Sequence, residues 1–138
     1  MQTRYFALAV GVIYLLVGLV GFIATGTSMA AGDDAPRLLG LFPVNLLHNI
    51  VHLAVGGLGI AAYRSYDGAR GFARGLAIFY GLLAIMGLLP DPFRTTFGLI
   101  PIFGHDVWLH ALTALAAAYF GFAAQREGVE TVDASRRR

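Results

Sequence analysis

Four long apolar stretches, separated by short segments rich in charge, proline and glycine, constrain this chain more than any other feature. A helix needs about 20 mostly apolar residues to cross roughly 30 Å of hydrocarbon. Residues 5–25, 45–63, 71–89 and 106–124 meet that condition. The segments between them hold Asp33, Asp34 and Pro36, then Arg64 and Asp67, then Pro90, Asp91, Pro92 and Arg94, the charges and breakers expected outside a bilayer. Composition agrees. Charged residues are 13% of the chain and hydrophobic ones 57%, against about 25% and about 45–50% in soluble domains. The chain is expected to be all-α, a polytopic membrane protein with a four-helix transmembrane bundle over residues 1–126 and a polar tail over 127–138.

Ser28-Met29-Ala30 resembles a signal-peptidase site. The apolar run before it is about 20 residues, longer than the 7–15 of a secretory core, so a retained first helix is expected. All ten basic residues are arginine. Arg4, Arg64, Arg70, Arg74, Arg126 and Arg136 to Arg138 fall on one side of the four spans, and Arg37 and Arg94 on the other. The positive-inside rule puts both termini in the cytoplasm and the two longer loops outside, in a multi-pass inner-membrane protein. Basic residues at helix ends do not form a face that follows nucleic acid, and that partner class is set aside. The absence of cysteine excludes disulfides, thiolate metal sites and cysteine nucleophiles.

The chain also resembles itself. Arg4-Tyr5-Phe6-Ala7 matches Arg70-Gly71-Phe72-Ala73, and Tyr14 then falls on Tyr80 and Gly21 on Gly87. Gly40-Leu41-Phe42-Pro43-Val44 matches Gly98-Leu99-Ile100-Pro101-Ile102, Leu47-His48 matches Leu109-His110, and Ala61-Ala62-Tyr63-Arg64 matches Ala123-Ala124-Gln125-Arg126. A tandem repeat of a two-helix hairpin follows, with units at about 4–64 and 70–126, related by an axis along the membrane normal. Gly11, Gly18 and Gly21 on the first span, and the pair Gly71 and Gly75 on the third, are expected to let helices approach closely.

Polar residues gather on one face of each even-numbered span. Asn45, His48, Asn49 and His52 stand at i, i+3, i+4 and i+7, and Asp106, His110 and Thr113 at i, i+4 and i+7, just after His105. Polar groups are costly against acyl chains, so both stripes should face the bundle interior. His48 and His110 would lie roughly 6–8 Å below their helix starts, facing each other across the pseudo-axis. Three readings suit this cluster. In the plainest, the residues are interhelical glue in a non-enzymatic accessory or structural subunit. In the second, His48, His52, Asp106 and His110 hold Zn, Cu or Fe, His48 and His52 being spaced for one ion. In the third, His48 and His110 are axial ligands of a haem. Tyr14 and Tyr80 would lie near mid-membrane and seek partners. An enzyme would need a nucleophile or a second carboxylate beside the histidines, so the reading leans away from catalysis. The bilayer, other membrane subunits or further copies of the chain are the expected partners.

With Asn45-Leu46-Leu47-His48-Asn49-Ile50-Val51-His52 and Asp106-Val107-Trp108-Leu109-His110 in view, the chain resembles an uncharacterised domain-of-unknown-function family of small bacterial four-span membrane proteins. Members share an Asn-x-x-His-Asn-x-x-His second helix and an Asp-x-x-x-His fourth helix. The resemblance covers nearly all of residues 4–124. It implies a bacterial inner-membrane protein of four-helix type and assigns no activity.

Overall fold

The structure, a computed structural model, describes residues 2–124. The chain forms α1 (Gln2–Thr25), a short hairpin of β1 (Arg37–Leu38) and β2 (Phe42–Pro43), α2 (Leu46–Ala62), α3 (Tyr66–Leu88) and α4 (His105–Ala118). A π-helical turn, Tyr119–Ala123, continues α4. Three of these helices, α1, α3 and α4 with its π turn, are long and apolar enough to cross a membrane; α2, at 17 residues, is apolar but shorter. Arg126 and the tail over 127–138 lie outside the described residues.

Local chemistry explains the boundaries. Asn45 adopts an extended conformation and its side chain accepts from the His48 amide, so α2 starts at Leu46 rather than at Asn45 itself. Ser65 does the same for α3, accepting from the Gly68 amide at 3.0 Å. Its cap draws Tyr66, Asp67 and Gly68 into the helix, where the sequence suggested loop, and shortens the link from α2 to a tight turn. Between α1 and α2, the linking segment folds on itself as the β1–β2 hairpin. Leu39 (φ 54°) and Gly40 (φ 71°) both turn left-handed within the three-residue loop between Leu38 and Phe42.

Packing is strongest within each sequential pair, α1 along α2 and α3 along α4. Glycine makes the first pair close. A Cβ on Gly11 would meet the Ile60 amide at 2.7 Å, and one on Gly59 would meet the Ala7 carbonyl at 2.8 Å. The close approach thus uses Gly56 and Gly59 of α2 as much as Gly11 and Gly18 of α1. Gly71 and Gly75 behave otherwise: open space surrounds both among the described residues, so they bring no helix near. Between the pairs, the Tyr14 and Tyr80 rings meet edge-on at 5.5 Å, and Phe6 stacks on Phe120 at 4.5 Å.

The distribution of side chains is the reverse of a soluble bundle. Alanine, glycine, tyrosine, asparagine and histidine fill the interior, while Ile23, Leu58, Ile78, Leu88, Leu112 and Leu115 point outward. Large apolar residues outside and small or polar ones inside is the arrangement expected of helices solvated by hydrocarbon.

The two long loops close one end. In the first, the Val44 amide donates to the Pro36 carbonyl at 2.9 Å; in the second, the Ile102 amide donates to the Arg94 carbonyl at 3.0 Å. Phe97 (φ 59°) and Gly98 (φ 82°) repeat the left-handed pair of Leu39 and Gly40. Pro43 and Pro101 are both fully buried. Arg94 ties the loops together, bonding Asp91 at 3.0 Å and Asp33 at 3.2 Å. Its bonds to Asp91 and then Asp33 raise the guanidinium pKa above its already high ordinary value.

Candidate functional site

The loop end carries the polar stripes, and tertiary packing sorts their members into two kinds. Asn45 is a clamp. Its oxygen accepts from the His48 amide at 2.9 Å, and its amide donates to the Leu99 carbonyl at 2.8 Å, joining the start of α2 to the opposite loop. Asn49 donates to the Thr25 hydroxyl at 3.1 Å, which in turn donates to the Gly21 carbonyl at 2.9 Å. Tyr14 and Thr113 share a hydrogen bond of 3.2 Å between α1 and α4. These contacts are the interhelical bonds that a purely structural stripe would make.

The second kind makes no such bonds. His48, Asp106 and His110 are nearly fully buried, at 3%, 2% and 2% exposure. Among the described residues, His48 Nδ1, Asp106 Oδ2 and His110 Nδ1 have no hydrogen-bond partner. The separation from His48 Nδ1 to Asp106 Oδ2 is 3.8 Å, too long for a direct bond. One potential ligand atom from each of the three residues lies within 4.8 Å of the others. Burying an unpaired polar atom typically costs about 1–3 kcal/mol.

Position follows from the helices. His48 sits in the first turn of α2, just behind its asparagine cap. Asp106 sits in the first turn of α4, where the helix dipole favours a carboxylate, and His110 lies one turn further along the same face. The cluster therefore spans the two hairpins. His52, one turn beyond His48, lies outside the converging group. Its ring meets that of His48 at 4.4 Å and the edge of Tyr14 at 5.3 Å, and its Nδ1 also lacks a partner. His105 is exposed and faces Phe42 across 6.4 Å. Tyr80 covers the group from α3, its ring edge-on to His110 at 5.1 Å.

The donor set fits a small ion. Two imidazoles and one carboxylate serve Zn and non-haem Fe(II), with positions left for other ligands. Ligand atoms about 2.1 Å from a tetrahedral ion are roughly 3.4 Å apart, so modest side-chain rotation closes the observed separations. The His48 and His110 ring centres are 6.2 Å apart, with the two planes tilted by 50°. Thr96 is the polar residue near this site that sequence reasoning missed: its hydroxyl also has no partner, and its backbone is left-handed (φ 48°). Nothing in the local sequence signals this, because a loop threonine is ordinary until the fold encloses it.

No curated protein and no solved structure matches the chain. Residues 4–123 match the family described as domain of unknown function DUF4383, and the chain belongs to that family.

Proposed function

We propose that this chain is a four-span integral membrane protein, built from two copies of one helical hairpin, that holds a transition-metal ion between the copies. His48, Asp106 and His110 are the ligands. The observation that carries the reading is that three buried residues of α2 and α4, each with a side-chain atom lacking a hydrogen-bond partner, bring one potential ligand atom apiece within 4.8 Å of the others. The ion would join the two hairpins beside the Asn45–Leu99 and Tyr14–Thr113 bonds, and would keep coordination positions open. The duplication is supported by the equivalent loop bonds at Val44 and Ile102 and by the paired left-handed residues. The arginine distribution supports a bacterial inner-membrane orientation with both termini cytoplasmic. A reporter fused in the turn at Asp67 reads inside on this orientation, and an outside signal overturns it.

A second reading, an accessory subunit whose polar residues only hold helices together, is favoured by the bonds of Asn49 and Tyr14. One experiment separates the two. Protein purified in mild detergent without chelator is analysed for metal, beside His110→Leu. About one ion per chain in the wild type and none in a folded variant is expected. A metal-free wild type that takes up no added Zn, Fe or Cu overturns the metal reading.

A further inference from the structure

At the end of the bundle away from the histidines, two arginines converge on one oxygen. Arg70 Nε and Arg74 Nε both donate to the Gly121 carbonyl, at 3.1 and 2.9 Å. Their Nε atoms therefore stand within about 6 Å of each other, a separation at which like charges repel. Packing builds the contact in: a Cβ on Gly121 would meet the Arg74 amide nitrogen at 3.0 Å, so α3 and the π turn touch backbone to backbone here. The Arg74 guanidinium also lies over the Phe122 ring, 5.2 Å from its centre. One neutral carbonyl and one ring face orient the pair but bring no net negative charge. Among the described residues, neither arginine is paired with a carboxylate, and neither uses its Nη groups in a hydrogen bond. Arg94, at the opposite end, is paired with both Asp91 and Asp33.

Position selects the kind of anion. Arg70 and Arg74 lie roughly 27 and 21 Å along α3 from Leu88. With Leu88 at one edge of a hydrocarbon layer about 30 Å thick, they reach the level of the headgroups at the other edge. Ile78, Leu82 and Ile85 follow Arg74 at i+4, i+8 and i+11 on one face of α3, and each is more than half exposed. Phe122, beneath the Arg74 guanidinium, is more than half exposed as well. The cationic pair thus stands at the head of an outward-facing apolar strip, which suits an amphiphile better than a soluble anion. Guanidinium groups pair with phosphate oxygens through parallel N–H bonds. A zwitterionic headgroup brings no net charge to offset two guanidinium groups, whereas an anionic one does.

We infer that Arg70 and Arg74 form a site for the headgroup phosphate of an anionic phospholipid, whose acyl chains lie along Ile78 and Leu82. This goes beyond the metal reading, shares no residue with it and does not depend on it. The probes are dioleoyl-phosphatidylglycerol and dioleoyl-phosphatidylcholine, each titrated into protein purified in dodecyl maltoside, with bound lipid counted by native mass spectrometry. Retention of one phosphatidylglycerol per chain, preferred at least about tenfold over phosphatidylcholine, is expected of two basic residues at a membrane surface. Replacing both, Arg70→Gln with Arg74→Gln, should abolish the preference. Arg64→Gln removes an exposed arginine from the same end and should leave it unchanged. Melting temperatures verify folding. If the double variant does not fold, Arg74→Gln decides the matter, because Arg70 still bonds Gly121 there, and the preference should fall at least about threefold. Equal retention of the two lipids, or an equal fall in Arg64→Gln, overturns the inference and leaves only diffuse attraction. Inorganic phosphate at the lipid's concentration should displace none of it; full displacement overturns the lipid assignment in favour of a soluble anion. Glu127→Gln with Glu130→Gln should leave lipid binding unchanged, and a tenfold rise would assign the pair to the chain's own carboxylates and overturn the inference.

Discussion

At the end of the bundle that carries the α2–α3 turn, arginines of one helix donate to the last carbonyls of its neighbour. Arg4 Nε bonds the Tyr63 carbonyl at 2.7 Å, and Arg70 and Arg74 Nε bond the Gly121 carbonyl at 3.1 and 2.9 Å. Cations sit where helix C-termini present unpaired oxygens, and the π turn at Gly121 makes one such oxygen available to two guanidinium groups. At the opposite end, Asn45 and Asn49 also donate to chain oxygens, but Asn49 Oδ1, His48 Nδ1, Asp106 Oδ2 and His110 Nδ1 are buried without a partner among the described residues. Both ends are polar. At one, arginines satisfy helix carbonyls with the chain's own donors; at the other, three residues with unpartnered atoms bring potential ligand atoms within 4.8 Å of one another.

Several substitutions can break or sharpen this contrast. The largest effect is expected from His110→Ala or Asp106→Ala. Each should weaken metal binding beyond about 100-fold, since loss of even a supporting residue costs 10–100-fold. Competition titration with a chromogenic chelator measures it. Gly87→Ala comes next, because its Cβ would run into the Ile102 carbonyl, a backbone atom that cannot turn aside. A loss of roughly 2–3 kcal/mol is expected, whereas Gly71→Ala on the same helix faces open space and should be neutral or gain up to about 1 kcal/mol. Thermal unfolding in detergent compares the two, and equal effects would mean that α3 and the second loop do not pack as described.

The arginine end should respond more mildly. Arg74→Met removes one donor to Gly121 while Arg70 remains, and about 1 kcal/mol of stability should go with it, without loss of metal. Asn45→Ala at the loop end should cost about 1–2 kcal/mol, the value of a helix cap. The smallest expected effect is from Tyr14→Phe. The Thr113 bond should contribute about 0.6 kcal/mol, the average for interhelical hydrogen bonds in a bilayer. A metal loss in Asn45→Ala or Tyr14→Phe as large as in His110→Ala would erase the distinction between the two kinds of polar residue.

The helices were legible because hydrophobic length and charge placement are local properties. The four apolar runs became four helices, although α2 is shorter than a full span and α3 begins five residues earlier than its apolar run, at its serine cap. The polar stripe was legible for the same reason, since i, i+4 spacing fixes a face whatever the helix packs against. Its internal division was not. Asn45 and Asn49 look like His48 and His52 in the stripe, and only the positions of Leu99 and Thr25, distant along the chain, decide which are paired. The glycine reading split likewise: Gly11 and Gly18 meet a neighbour, whereas Gly71 and Gly75, four residues apart, face open space.

The amino-acid sequence by itself thus determined the four apolar helices and the depth of the polar residues along them, because both follow from hydrocarbon thickness and helix rise. Tertiary structure alone decided that His48, Asp106 and His110 converge while His52 and His105 do not. Convergence depends on how two hairpins are rotated against each other, and that rotation is set by backbone approach at glycines and by loop clamps from both halves of the chain.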